Sequence, residues 1–178
     1  MILNENRNMR FITPDSAKKV ATDCATKLTS LLKPDGRFVY RSEFGGAEIP
    51  SDDSYSSVRL IGVVWFLLEV GQVLGPIDGV RDAALKAGEY AIEHFLVPYA
   101  GDEALAVLSE GFAKLGGAGM ALNALCRLWD ASSDERYLNL ARKVGNFILL
   151  QQQDIGDFIQ VRQYPLGVPH PARDGYAA

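Results

Sequence analysis

Five segments of this chain repeat apolar residues at the three-and-four spacing of helices with one buried face. The first runs from about Pro14 to Lys33, with Thr13 as N-cap and Pro14 at the first helical position, where its missing N–H costs nothing. The second runs from about Ser54 to Leu74 and closes at Gly75-Pro76, a glycine for the left-handed turn and a residue that cannot continue the helix. The third spans Asp78 to about Val97 with Asp78 as cap, and the fourth spans about Ser109 to Asp130. The fifth opens at Ser132, where Ser132 and Glu135 have capping-box spacing, and ends near Gln152. No segment alternates with strand period over a useful length. Val39 and Phe158 to Val161 are extended pieces at most, so the expected class is all-α.

Sliding the sequence along itself until Tyr55 falls on Phe112 also brings Gly62 onto Gly119, Leu68 onto Leu125 and Ala84 onto Ala141. In the same register Lys86 meets Lys143, Gly88 meets Gly145, and Tyr90 meets Phe147. Amphipathic helices share apolar spacing by chance, but each interior glycine costs about 1 kcal/mol and is not placed by that spacing. The four glycines therefore predict close helix crossings at matching places in two helical hairpins. A third copy is fainter. Lys33-Pro34-Asp35-Gly36-Arg37-Phe38 and Gln153-Asp154-Ile155-Gly156-Asp157-Phe158 each end a helix with Asp, Gly and an aromatic. Helices one, three and five thus form one class, and two and four the other.

Tandem hairpins of this size build a solenoid or a closed ring. Three stretches carry a resemblance: Lys114 to Leu125, Asp134 to Lys143, and Gln151 to Phe158. Across about Ser54 to Phe158 the chain resembles the α/α-toroid proteins, which include six-hairpin glycosidases, sugar epimerases, lanthionine-synthetase cyclase domains and terpene-cyclase or prenyltransferase-like domains. The resemblance implies tandem helical hairpins forming part of a toroid, as a single domain over residues 1–178 with residues 159–178 an irregular tail. It implies that helices two and four line the inside. Helix two fits, because Val58 and the run from Leu60 to Leu68 leave little polar surface. The resemblance specifies architecture and leaves activity open, since these residues are scaffold in all those families.

In a toroid, the loops from outer to inner helices open at one end, where active sites lie. The three here are Asp35 to Asp53, Pro98 to Glu110, and Asp154 onward, all long for helix connections. They gather the candidate polar groups. Asp52 and Asp53, with Glu43 and Glu48 upstream, offer one carboxylate of an acid–base pair; Asp102, Glu103 and Glu110 offer the other. Asp53 and Glu110 are the catalytic candidates, although acids at helix N-termini also cap and complement the dipole. Arg41, Glu43, Tyr55, Arg59 and Asp102 are the substrate-binding candidates. Tyr55 and Arg59 share a face near the start of helix two. Arg59 interrupts an apolar helix and so needs an acidic partner, solvent or a ligand, and Lys114 occupies the matching region of helix four.

Other chemistries find less. The net charge of -4 and the lack of a basic stripe argue against nucleic acid. The longest apolar run, Ile61 to Val70, is broken by Glu69 and is short for a bilayer span. The N-terminal residues have no apolar core of a signal peptide, so a cytoplasmic location is expected. Cys24 and Cys126 read as buried free thiols. With His94 and His170 they do not converge as zinc ligands, and no metal or cofactor is expected. Leu115-Gly116-Gly117-Ala118-Gly119 reads as helix packing rather than a phosphate loop.

Three functions remain open. One is a carbohydrate-active toroid, hydrolase- or epimerase-like, that uses loop carboxylates on a carbohydrate or other small polar ligand. Another is a non-catalytic interaction module. The third is a cyclase or prenyltransferase-like toroid with Trp65, Phe66 and Phe112 against an apolar substrate. The helices alternate outer and inner and end on an outer one. That order predicts an incomplete ring whose open apolar faces are covered by a second copy, as a homodimer, or by a missing partner half.

Overall fold

The structure, a computed structural model, describes residues 12–43, 48–49 and 55–169. Its helices are α1 (Pro14–Ser30), α2 (Ser57–Leu74), α3 (Val80–Phe95), α4 (Leu115–Ser132) and α5 (Glu135–Gln151). α2 packs along α3, α4 packs along α5, and the two pairs meet through α2 and α4, with α1 flanking α2 and α3. The inner layer of α2 and α4 expected from the sequence is therefore present, backed by α1, α3 and α5.

The core lies between these layers. Leu60, Ile61, Val64 and Leu67 of α2 pack with Leu125 and Leu128 of α4, Val144 and Phe147 of α5, and the small face Ala84 and Ala87 of α3. Each Leu or Phe so buried contributes about 2 kcal/mol before chain entropy is counted. By length and composition alone α2 is long and apolar enough to cross a bilayer, with a mean hydropathy of 1.6 over its 18 residues, which extend beyond the apolar run Ile61 to Val70. Here Leu60, Ile61, Val64, Leu67 and Leu68 are buried in the core, while Trp65 and Val73 are exposed.

The class is not purely all-α. Between α3 and α4 run β1 (Leu96–Tyr99), β2 (Ala104–Ser109) and β3 (Phe112–Lys114), and after α5 come β4 (Val161–Gln163) and β5 (Val168–Pro169). They form an antiparallel sheet in the order β1-β2-β3-β4-β5. Ser109 to Lys114, assigned to the fourth helix from sequence, instead turns a hairpin through Glu110 and Gly111 before α4 starts at Leu115. The stretch expected to be an irregular tail supplies β4 and β5 as far as Pro169. Pro98 and Pro169 are tolerated because β1 and β5 are the edge strands.

The Asp-Gly-aromatic turns match bond for bond. The Lys33 N–H donates to the Arg37 carbonyl at 2.7 Å, as the Gln153 N–H does to Asp157 at 2.7 Å. The Val39 N–H donates to Leu31 and that of Ile159 to Gln151, both at 2.9 Å. Gly36 and Gly156 hold φ of 91° and 88°, a region open to glycine at little cost.

Several local expectations need correction. Only Gly88 sits at a close crossing, where an added Cβ would lie 2.9 Å from the Leu128 methyls; Gly62, Gly119 and Gly145 face open space. α3 is capped by Gly79 rather than Asp78, with no side-chain cap. α5 is capped by Asp134, whose carboxylate accepts from the Arg136 N–H, while Ser132 ends α4 and donates to the Leu128 carbonyl. Cys24 is exposed and Cys126 half-buried; Ala25 fills the buried place next to Cys24.

Candidate functional site

Two inner-helix N-termini and one hairpin tip meet around an open cleft of about 440 Å³, within the range of small-ligand sites. The α2 side supplies Tyr55, Ser56, Val58 and Arg59; the α4 side supplies Lys114, Gly116 and Gly117; the hairpin supplies Ser109 and Glu110; and the loop after α1 supplies Tyr40.

The wall at Tyr40 is built by extended chain. Once Gly36 reverses direction, Phe38 turns inward and is buried, and Tyr40, two residues on, reaches the cleft. The Phe38 N–H donates to the Tyr55 hydroxyl at 3.0 Å, tying this loop to the start of α2. Tyr55 lies 5.2 Å from the Tyr40 ring and stacks on Phe95 at 6.5 Å, with Arg37 over its face at 5.9 Å. Burial raises the Tyr55 phenol above its ordinary pKa, so it stays a neutral hydroxyl.

Arg59 stands in the first turn of α2. Its Nη1 donates to the Tyr40 hydroxyl at 2.6 Å, and its guanidinium carbon lies 5.1 Å from the Tyr40 ring centre. The sequence offered an acidic partner, solvent or a ligand; the structure gives it a phenol and no carboxylate among the described residues. Arg41 covers the same ring at 5.6 Å and stands beside the cleft rather than in its wall.

Glu110 occupies the first central position of the two-residue β2–β3 turn, with φ of 53°, followed by Gly111 at 79°. Paired positive φ values are those of a type I′ hairpin turn, which favours Asn-Gly and strains a glutamate. The turn puts Glu110 in the lining of the cleft that Arg59 also lines. Lys114 is the N-cap of α4, with no side-chain cap bond.

Of the sequence candidates, Tyr55, Arg59 and Glu110 line one cleft, as does Lys114. Glu43 is exposed and does not line it. Asp102 does not reach it either. It lies in the β1–β2 turn, at the other end of β2 from Glu110, so the strand separates the two acids by roughly 20 Å at about 3.3 Å per residue. Asp52 and Asp53 lie outside the described residues, as does His170. Trp65, Phe66 and Phe112, offered for an apolar substrate, do not line this cleft. Among the described residues no group of three or more His, Cys, Asp or Glu side chains is placed to hold a metal ion.

Tyr40 escaped the sequence reading. Its signal was the alternation Phe38-Val39-Tyr40 after the glycine turn, one residue in and the next out. Gly116 and Gly117 were read as packing. Gly117 does pack, against Val107 and Val58, but Gly116 lies open at the cleft.

No family model matches this sequence, and no curated protein does. Solved structures do. A sugar epimerase from a ruminal bacterium superposes with a TM-score of 0.68 at 17% identity, over 89% of this chain and 42% of that one. Cellobiose 2-epimerase from Bacillus thermoamylovorans gives 0.67 at 14% identity, over 95% and 50%. A D-mannose isomerase gives 0.63 at 16%, over 89% and 46%. The fold is that of an α/α toroid. This chain spans about half the length of those toroids, and at such identities the likeness establishes the architecture alone. In that architecture the cleft lies at the N-terminal ends of the inner helices, the end where the long loops gather.

Proposed function

We propose that this chain forms the saccharide-binding part of a carbohydrate-active toroid, with the substrate seated between Tyr40, Tyr55 and Arg59 on one side and Glu110 and Lys114 on the other. The observation that carries this reading is the meeting of the Tyr40–Arg59 pair with the Glu110 turn over one cleft, in a fold shared with three sugar-converting enzymes. Phenol faces pack against the C–H faces of a sugar ring, and guanidinium and ammonium donors fix hydroxyl or carbonyl oxygens. Glu110 supplies an acid–base group for proton transfer at the sugar. Asp53, a few residues before Arg59, is the proposed second carboxylate of a pair.

Titration calorimetry with a panel of mono- and disaccharides tests the binding step, and incubation in deuterated water followed by NMR of the sugar tests proton exchange. Binding that Tyr55→Ala weakens, with exchange that Glu110→Gln removes, supports the reading. A folded protein that binds none of the panel ends it.

A second reading, an interaction module, draws on exposed Leu149, Leu150 and Ile155, which are 66%, 51% and 84% accessible at the end of α5. Light scattering separates it. A dimer that Leu150→Glu dissociates supports assembly through this face, and a monomer at micromolar concentration rejects it.

A further inference from the structure

The outer and inner helices differ in the acids at their N-termini, although α3 and α5 also carry Arg81 and Arg136 in their first turns. α1, α3 and α5 each carry an acid in the first turn, Asp15, Asp82 and Glu135, which complements the positive end of the helix dipole. α2 and α4 carry none there. Their cations stand there with no acid in the same turn: Arg59 in the first turn of α2 and Lys114 at the N-cap of α4, where positive charge opposes the dipole and costs stability.

Both cations line the cleft, with Glu110 the one carboxylate facing them among the described residues. Neither is neutralised by an ion pair among those residues. A guanidinium has five N–H donors, and the Tyr40 hydroxyl takes one of Arg59's. The Lys114 ammonium has no described hydrogen-bond partner. At α4 the Leu115 N–H donates to the Gln160 carbonyl at 2.9 Å; the N–H groups that follow have no side-chain cap, and open Gly116 adds no side chain to screen them. Two cations without an ion pair among the described residues, and a helix end without a side-chain cap, thus border one cleft beside two phenols.

Resting on the saccharide reading above, we infer that the substrate of this cleft is an anionic sugar, a uronic acid or a sugar phosphate, whose charged group is held by Arg59 and Lys114. A carboxylate or phosphate matches the forked guanidinium donors of Arg59. Its charge offsets the cation–dipole repulsion at both helix ends, so the ligated protein is also more stable.

The test is calorimetry with glucuronate, glucose 6-phosphate, glucose and inorganic phosphate, at low and near-physiological salt. At low salt, glucuronate or glucose 6-phosphate binds at least about tenfold more tightly than glucose, the gain expected of a charge-assisted contact. The advantage shrinks as salt screens it. Arg59→Gln with Lys114→Gln lowers the affinity for the charged sugars by at least about tenfold more than it lowers the affinity for glucose, so the advantage is lost. Should that double variant fail to fold, Lys114→Gln alone lowers the affinity for the charged sugar by a larger factor than the affinity for glucose. Glucose binding as tightly as the charged sugars overturns this inference and leaves the saccharide reading standing. Phosphate binding as tightly as glucose 6-phosphate overturns it in favour of a bare anion site. No sugar binding by the folded chain overturns both readings.

Discussion

Arg59 and Tyr40 come from different elements and meet twice, through a 2.6 Å hydrogen bond and through the guanidinium 5.1 Å from the ring centre. The contact fixes a long side chain that would otherwise sweep the cleft mouth. Tyr40→Phe keeps the ring and deletes the acceptor. It is expected to weaken saccharide binding by about three- to tenfold, the worth of one exposed hydrogen bond, with an unchanged melting temperature. Calorimetry beside a thermal melt reads both; wild-type affinity in the variant would dismiss Tyr40 as a positioning residue.

Glu110 holds a left-handed backbone that asparagine adopts more easily. Glu110→Asn completes an Asn-Gly turn and is expected to stabilise the fold by about 0.5–1 kcal/mol, while abolishing any proton exchange into a sugar. Denaturant unfolding and the exchange assay together test it. A less stable variant that still turns over would contradict both halves.

Gly88 and Gly145 occupy equivalent repeat positions in different surroundings. A methyl on Gly88 meets the buried Leu128 side chain, whereas one on Gly145 meets open space. Gly145→Ala should gain about 0.5–1 kcal/mol of helix propensity. Gly88→Ala should lose about 1–2 kcal/mol net, because overpacking at Leu128 exceeds that gain. Equal melting shifts for the pair would mean that Leu128 moves aside freely.

Tyr137 on α5 is buried and donates to the Glu89 carboxylate on α3, which also accepts two bonds from Arg136 at 2.6 and 3.0 Å. Burial first, and then that carboxylate, push the Tyr137 phenol from 10.0 up to about 12. A raised folded-state pKa gives stability that is complete below the unfolded value and lost as pH rises through the folded one. Stability should therefore fall between about pH 10 and 12. Tyr137→Phe should flatten that part of the profile; an unchanged alkaline slope would assign it to other groups.

The sequence by itself determined the helices, their two classes and the repeat, because these follow from local periodicity and from glycines that must take positive φ. Gly36 and Gly156 close the same turn in both places, since a left-handed residue after a helix is a property of a few neighbouring residues. The sequence also marked Arg59 and Glu110, since a cation in an apolar helix and an acid in a long loop stand out against their neighbours. Tertiary structure decided the rest. The sheet was hidden because Ala104 to Ser109 is short and weakly alternating, and its pairing comes from β1 and β3 rather than from its own pattern. The same strand places Glu110 at the cleft and carries Asp102 away, a choice made by hairpin direction and invisible to composition. Tyr40 became part of the site only through the path of the loop after Gly36. Of the repeat's glycines, only Gly88 met a neighbour close enough to require its missing side chain, because contact across helices depends on which face each presents.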